Sequence, residues 1–325
     1  MNQLQDIQKT LAQAERVAIF THVNPDGDAL GSAYAMQAAL EFLGKKATVF
    51  LEKEPPERYA FLVEDYSLCG ESDAFDVALA LDCGSINRLG NLHPLYLQIG
   101  KKLVVDHHYA TAPYGDIYFS DPNSAACCEL VYDLIIGLCG RVPEKSLVPL
   151  YTGLSTDTGN FKFSNVTVKT FTVAAALLES GVKIRPITRR LYDTVKLSKL
   201  KFIGALADHV QLYNDGKIAV LACSDSFLAG FGLAFEDLEE LPNTVLSIKG
   251  VEVSVIIKEK DADKLKVSLR CKENIDLALL AAQFGGGGHA CASGFVTDAS
   301  AQTITDELVT VISKQLEEFY AGTSK

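Results

Sequence analysis

The chain has 325 residues, of which 48% are hydrophobic, and a formal net charge of −11. That length corresponds to about two domains, and the apolar share supports a packed core and argues against wholesale disorder. The negative balance disfavours coating a long nucleic-acid duplex through many phosphate contacts, and no apolar run approaches the roughly 18 residues of a membrane span.

The opening stretch, MNQLQDIQKTLAQAER, has no basic segment followed by an apolar run. It reads as an amphipathic helix rather than a signal peptide, and the expected location is the cytoplasm. Val17–Phe20 reads as a strand. The turn after it, THVNPDGDALGSA, lies where an α/β protein often places a glycine-rich phosphate loop, yet it is not G-x-G-x-x-G and has no Walker lysine. It carries His22, Asp26 and Asp28 instead, ahead of a helix over Ala29–Leu43. Strands at Ala47–Leu51, Val77–Leu81 and Leu103–Val105 and a helix over Ser124–Leu138 continue the alternation. The expected fold is α/β, with βαβ units and a mostly parallel, doubly wound sheet. In such sheets ligands sit beyond the carboxyl ends of the strands. Asp82 ends ALALD, Asp106, His107 and His108 end KLVVDHH, and Asp157 follows in LSTDTGNF.

The pattern changes near Gly181. Lys183–Lys201 holds seven Lys or Arg against one Asp and reads as a basic linker running into a helix, its charges either a solvated face or a positive rim beside the site. A second, smaller α/β unit follows, with strands near Ile218–Cys223, Val251–Ile257 and Leu265–Leu269, a helix near Ile275–Gln283, the run Gly285-Gly286-Gly287-Gly288-His289, and a last amphipathic helix from about Ala301 to Phe319. The expected division is a first domain over 1–183 that carries the strand-end motifs, a basic helical linker over 184–204 and a second domain over 205–325. Four consecutive glycines lose much backbone entropy on folding, so they need a structural use; here they let backbone N–H groups approach an anion. Arg270, ending KLKVSLR, offers a fork suited to phosphate.

His22, Asp26, Asp28, Asp82, Asp106, His107, His108 and Asp157 form the candidate site. Buried carboxylates repel one another unless protons or cations compensate them. Oxygen-rich ligands with a minority of imidazole and no thiolate suit Mn²⁺ or Mg²⁺, with Fe²⁺ and Co²⁺ as further candidates. Six likely ligands exceed the needs of one ion, so two divalent ions about 3.5–4 Å apart sharing one carboxylate is the economical arrangement. Asp82, on a middle strand, is the candidate bridge. The eight cysteines include an adjacent pair, Cys127 and Cys128, and no C-x-x-C; they read as small reduced hydrophobes, with Cys83 and Cys291 beside the motifs. His93 and His209 read as structural.

HVNPDGDALGS, ALDCGS, VVDHH and STDTG, in that order, resemble the four motifs of the DHH phosphoesterase superfamily, and GGGGHACASG resembles the glycine-rich motif of the DHHA1 domain. Within the superfamily the chain is most similar to the nanoRNase/pAp-phosphatase type. The resemblance implies a five-stranded parallel sheet and a cleft closed by the second domain. It assigns His22, Asp26 and Asp82 to one ion and Asp28, Asp82, His107 and Asp157 to the other. Asp106 orients its neighbours, His108 faces the substrate phosphate, and Arg270 and His289 hold phosphate. The implied activity is metal-dependent phosphoester hydrolysis. Short RNA oligonucleotides would give nucleoside 5′-monophosphates, and 3′-phosphoadenosine 5′-phosphate (pAp) would give AMP and phosphate. A cyclic-di-AMP phosphodiesterase and a non-catalytic nucleotide-binding regulator are the competing readings; a pyrophosphatase or a RecJ-type exonuclease fits less well. A homodimer is the expectation from general frequency.

Overall fold

A computed structural model describes residues 3–63, 65–68, 74–108, 113–233, 238, 241–261, 264–272 and 275–323. The chain divides into two units, Met1–Thr194 and Val195–Lys325. The first contains α1 (Gln3–Gln13), β1 (Arg16–Phe20), α2 (Gly27–Phe42), β2 (Lys46–Phe50), β3 (Val77–Leu81), α3 (His93–Gln98), β4 (Lys101–Asp106), β5 (Ile117–Ser120), α4 (Cys127–Cys139), α5 (Glu144–Asp157), α6 (Val168–Glu179) and α7 (Ile184–Leu191). The second contains α8 (Leu197–Ala207), β6 (Gln211–Tyr213), β7 (Ile218–Cys223), α9 (Asp225–Ala229), α10 (Leu241–Leu246), β8 (Val253–Asp261), β9 (Lys264–Cys271), α11 (Leu277–Gln283), β10 (Gly287–His289), β11 (Ala292–Thr297) and α12 (Ala301–Thr323).

The first sheet has the order β2-β1-β3-β4-β5 and every pair is parallel. Its middle strands are apolar on both faces, as a sheet covered on both sides must be. Val17 and Ile19 of β1, with Leu79 and Leu103, join the large core formed with α1, α2, α4, α5 and α6. Ala18 and Phe20 point the other way, into a cluster with Phe50, Ala80, Val104 and Tyr96, where Phe20 stacks on Phe50 at 5.3 Å. The chain leaves β1 towards β2 on one side and resumes at β3 on the other. The carboxyl ends of β1 and β3 therefore flank the point where strand order reverses, where open α/β sheets bind ligands.

The stretch read as a basic linker is two helices. α7 belongs to the first unit, with Ile187 and Leu191 buried, and α8 belongs to the second, with Phe202 and Leu206 buried. The second sheet has the order β10-β11-β9-β8-β7-β6. It is antiparallel except for β7 beside β8, and one face packs against α11 and α12 through Leu280, Leu308 and Ile312. No helix among the described residues is long and apolar enough to cross a membrane.

Candidate metal centre

Every acidic and imidazole group expected at the site lies at a strand or helix end of the first unit. His22 follows β1, Asp82 follows β3, and Asp106 closes β4 ahead of His107 and His108. Asp26 caps α2, its Oδ1 accepting from the amides of Asp28 and Ala29, and Asp157 is the last residue of α5. Three groups have ligand atoms within 4.8 Å of one another: His22, Asp26 and Asp82; Asp28, His107 and Asp157; and Asp82, His107 and His108. Asp82 stands between the first two. Its Oδ2 is 3.9 Å from His22 Nε2 and its Oδ1 is 3.5 Å from His107 Nε2.

The hydrogen bonds of the two imidazoles set their tautomers. His22 Nδ1 lies 2.8 Å from the Val23 carbonyl and His107 Nδ1 lies 3.1 Å from the Ser124 carbonyl. A carbonyl only accepts, so Nδ1 carries a proton in each ring and Nε2 is the atom turned to the carboxylates, a lone pair when the ring is neutral. His107 Nε2 faces Asp157 Oδ2 at 3.3 Å, Asp82 Oδ1 at 3.5 Å and Asp28 Oδ2 at 3.8 Å. A neutral ring here aims a lone pair at carboxylates, which a bound cation would compensate, whereas a protonated ring pairs with them directly. Asp82 Oδ1 is moreover buried without a hydrogen-bond partner, which ordinarily calls for an ion or water. Carboxylates plus two imidazole nitrogens form a donor set for a hard divalent ion. The buried Cys127 and Cys128 thiols are raised well above their usual range by burial and then by Asp28, so they stay protonated and do not compete as ligands.

The carboxyl groups behave as a crowded cluster. Burial pushes Asp82 up to about 7, reinforced by Asp28 and Asp26 against the pull of His107 and His22. Burial also raises Asp28, against His107, and Asp157, where Asp28 adds to it. Asp106 goes the other way. Burial acts to raise it, but the His108 hydrogen bond and charge prevail and hold it low. His108 is correspondingly raised, the Asp106 bond and the Asp82 charge outweighing burial. Asp106 Oδ1 accepts from His108 Nδ1 at 2.8 Å and from the His107 amide at 2.8 Å, so it orients the D-H-H turn, while its Oδ2 is buried without a hydrogen-bond partner.

Several contributors were invisible in the motifs. Asp28 caps a helix other than its own: Cys127 N–H and Cys128 N–H, at the start of α4, donate to its Oδ2 at 2.5 Å and its Oδ1 at 2.9 Å. α4 has no capping bond from its own N-cap, Ala126, and the helix N-terminus favours the negative charge. Asp82 adopts φ 55, a left-handed conformation that Asp and Asn tolerate better than other non-glycine residues. Gly153 of α5 allows α2 and α5 to approach closely. A Cβ there would collide with Cys128 Sγ and lie 2.7 Å from Asp28 Oδ1. Helix α5 itself escaped notice because Pro149 interrupts its pattern.

In the second unit, Arg270 is the next-to-last residue of β9 and pairs with Ala292 of β11, which pairs with His289 of β10. Directly paired residues share a face, so Arg270 and His289 project from one face two strands apart, about 10 Å at the usual strand spacing. The glycines form a hairpin rather than an open loop. Gly287 and Gly288 lie in β10, and a Cβ on Gly286 or Gly288 would collide with the backbone of β11. Burial lowers Arg270 from its ordinary value, and the side chain donates to the Leu269 carbonyl at 2.9 Å.

The sequence pattern of the DHH family, N-terminal domain, matches residues 16–154, and that of the DHHA1 domain matches residues 215–320. A "bifunctional oligoribonuclease and PAP phosphatase NrnA" of Thermus thermophilus is 33% identical over 86% of this chain and 83% of its own length. The chain belongs to the DHH family. A second DHH protein, the NrnA of Bacillus subtilis, is 29% identical over 88% of this chain and 90% of its own. The crystal structure of an exopolyphosphatase-related protein from Bacteroides fragilis superposes with a TM-score of 0.86 at 26% identity, covering 99% of this chain and 98% of that one. In DHH terms, the acidic and imidazole cluster lies in the first domain or just beyond its matched residues, at Asp157, and the Arg270–His289 row lies in the DHHA1 domain.

Proposed function

We propose that this DHH protein is a metal-dependent phosphoesterase that cleaves short oligoribonucleotides to nucleoside 5′-monophosphates and converts pAp to AMP and phosphate. The observation that carries the reading is the pair of imidazoles whose backbone bonds turn Nε2 onto buried carboxylates, one of which, Asp82, has an oxygen without a hydrogen-bond partner. The NrnA names of the two relatives give the substrate class. His22, Asp26 and Asp82 hold one divalent ion, and Asp28, Asp82, His107 and Asp157 hold the second, with Mn²⁺ the preferred ion for this oxygen-rich, imidazole-containing set. When bound, such a pair polarises the phosphoryl oxygens and supplies an activated water.

The protein's own groups do the rest. Asp106 holds His108 by its Nδ1–H, and the raised His108 presents an acidic Nε2–H to a phosphoryl oxygen, stabilising charge as it builds and protonating the departing oxygen. Arg270 and His289, one on each side of Ala292, take a second phosphate, with the Gly286–Gly288 backbone beside them. We place the enzyme in the cytoplasm, as a homodimer.

The test is turnover by the metal-free and Mn²⁺-loaded chain on end-labelled RNA of two to five nucleotides, on pAp and on cyclic di-AMP. Release of 5′-monophosphates and of AMP only with Mn²⁺ supports the reading. Turnover of cyclic di-AMP alone, or binding of all three without turnover, replaces it with a competing one.

A further inference from the structure

We propose that Glu129 is a positioning residue for the candidate metal centre, acting on His107 through the Ser124–Ala125 peptide group. The inference rests on the metal-centre reading above. Glu129 lies in the first turn of α4 and is fully buried. Its Oε2 accepts from Ala125 N–H at 3.3 Å and its Oε1 accepts from the Thr170 hydroxyl at 2.6 Å. No ion pair among the described residues involves it. The amide it holds belongs to the same peptide unit as the Ser124 carbonyl, and that carbonyl accepts the His107 Nδ1 proton at 3.1 Å.

The peptide bond is conjugated. A carboxylate on its N–H end shifts electron density towards its oxygen, and hydrogen bonds in such a chain polarise one another where water is excluded. The Ser124 oxygen therefore grips Nδ1–H more firmly, and the Nε2 lone pair that faces Asp28, Asp82 and Asp157 becomes a stronger donor. Metal-bound histidines commonly give their second N–H to a carboxylate or a carbonyl. Here both are present in series, with one peptide group between the carboxylate and the ring. The loop is fixed from two further sides: Asn165 Nδ2 donates to the Ala125 carbonyl at 3.0 Å, and the Glu129 amide donates to the Ala126 carbonyl at 3.2 Å.

A Glu in the first turn of a helix also stabilises that helix. The two roles separate experimentally because glutamine keeps the shape and the acceptor oxygen but not the charge. Mn²⁺ binding to the metal-free chain is measured by electron paramagnetic resonance of the free ion. The wild type is expected to bind two ions. Glu129→Gln should weaken one of them about tenfold, the lower end for residues that orient metal ligands, and leave the other unchanged. Thr170→Val, which keeps the carboxylate and removes the donor on its far side together with the capping-box acceptor for the Thr167 amide at the start of α6, should bind both as the wild type does. Equal weakening of both ions by Glu129→Gln, no weakening, or the same selective loss in Thr170→Val overturns the proposal. If the Gln variant does not fold, the ¹⁵N-histidine spectrum of the metal-free wild type decides. A His107 with a proton on Nδ1, whether or not Nε2 carries one, together with unchanged binding in Thr170→Val, supports the relay, and a bare Nδ1 overturns it. A wild type that binds no Mn²⁺ instead defeats the metal-centre reading itself, before any variant is compared.

Discussion

Stripping the metal should make the stability of the first unit depend steeply on pH, and Asp82 should carry the largest identifiable share. In the folded chain its carboxyl group titrates at about 7, against 3.8 as an ordinary aspartate. Between those values the folded state keeps a proton that the unfolded state has released, so stability falls as pH rises. The contribution is fully present below pH 3.8 and gone above 7. At about 1.4 kcal/mol for each pH unit, the whole interval is worth about 4 kcal/mol, and the part between pH 5 and 7 about 3 kcal/mol. Asp28 and Asp157, also raised by burial, act in the same direction. Asp106, held low by His108, loses stability only as pH falls. The assay is urea unfolding of the EDTA-dialysed chain, followed by far-UV circular dichroism from pH 5 to 8. The comparison is with Asp82→Asn, which removes the titration and suits the φ of 55. The wild type should lose stability across pH 5–7. The variant should lose about 3 kcal/mol less, or flatter still, because Asp82 also raises Asp157. Equal slopes in the two proteins, or a wild type that gains stability from pH 5 to 7, would refute the reasoning.

Saturating Mn²⁺ at pH 8 should recover the loss, adding about 2.7 kcal/mol at a hundred times the dissociation constant, and the rise in the urea midpoint measures it. Asp82→Asn should also lower turnover of pAp at least a hundredfold while leaving the circular dichroism spectrum intact, because it removes a charge that lies between His22 and His107 and that the proposed reading gives to both ions. Gly153→Ala should cost about 1–3 kcal/mol through overpacking and weaken Mn²⁺ binding, since the new methyl meets Cys128 and Asp28; thermal unfolding and metal titration report the two effects. Arg270→Lys should raise KM for pAp several-fold with kcat little changed, because a point charge replaces a fork that holds phosphate in two places.

The architecture of the first unit was legible wherever short apolar runs alternated with helical patterns. The strands expected near residues 17, 47, 77 and 103 are β1 to β4 within two residues. β5 was missed because IYFS is only four residues long and follows a stretch rich in Ala, Pro and Gly. The clustering of the candidate residues was legible because a parallel sheet gathers its strand ends on one edge, so polar residues that break an apolar run there fall close together. The forces that orient those residues were not. The Val23 and Ser124 carbonyls and the amides of Cys127 and Cys128 are backbone groups, which every residue carries and no motif marks. The glycine run was read as an anion cradle; the hairpin shows that Gly286 and Gly288 also answer to the close approach of β11.

The two ion groups have different mechanical origins. His22 and Asp82 leave neighbouring strands, β1 and β3, whose backbones are tied by parallel pairing through Phe20 and Ala80, and Asp26 is fixed as the cap of α2. That group inherits the rigidity of the sheet. Asp28 and Asp157 reach His107, which follows β4, because α2, α4 and α5 pack together. Asp28 is tied to the first amides of α4, His107 to the loop before α4, and Asp157 to the end of α5. Strain in the helical layer therefore reaches the second group first. That is why Gly153→Ala and Glu129→Gln, which act through α5 and α4, should each cost one ion before the other, whereas Asp82→Asn costs both.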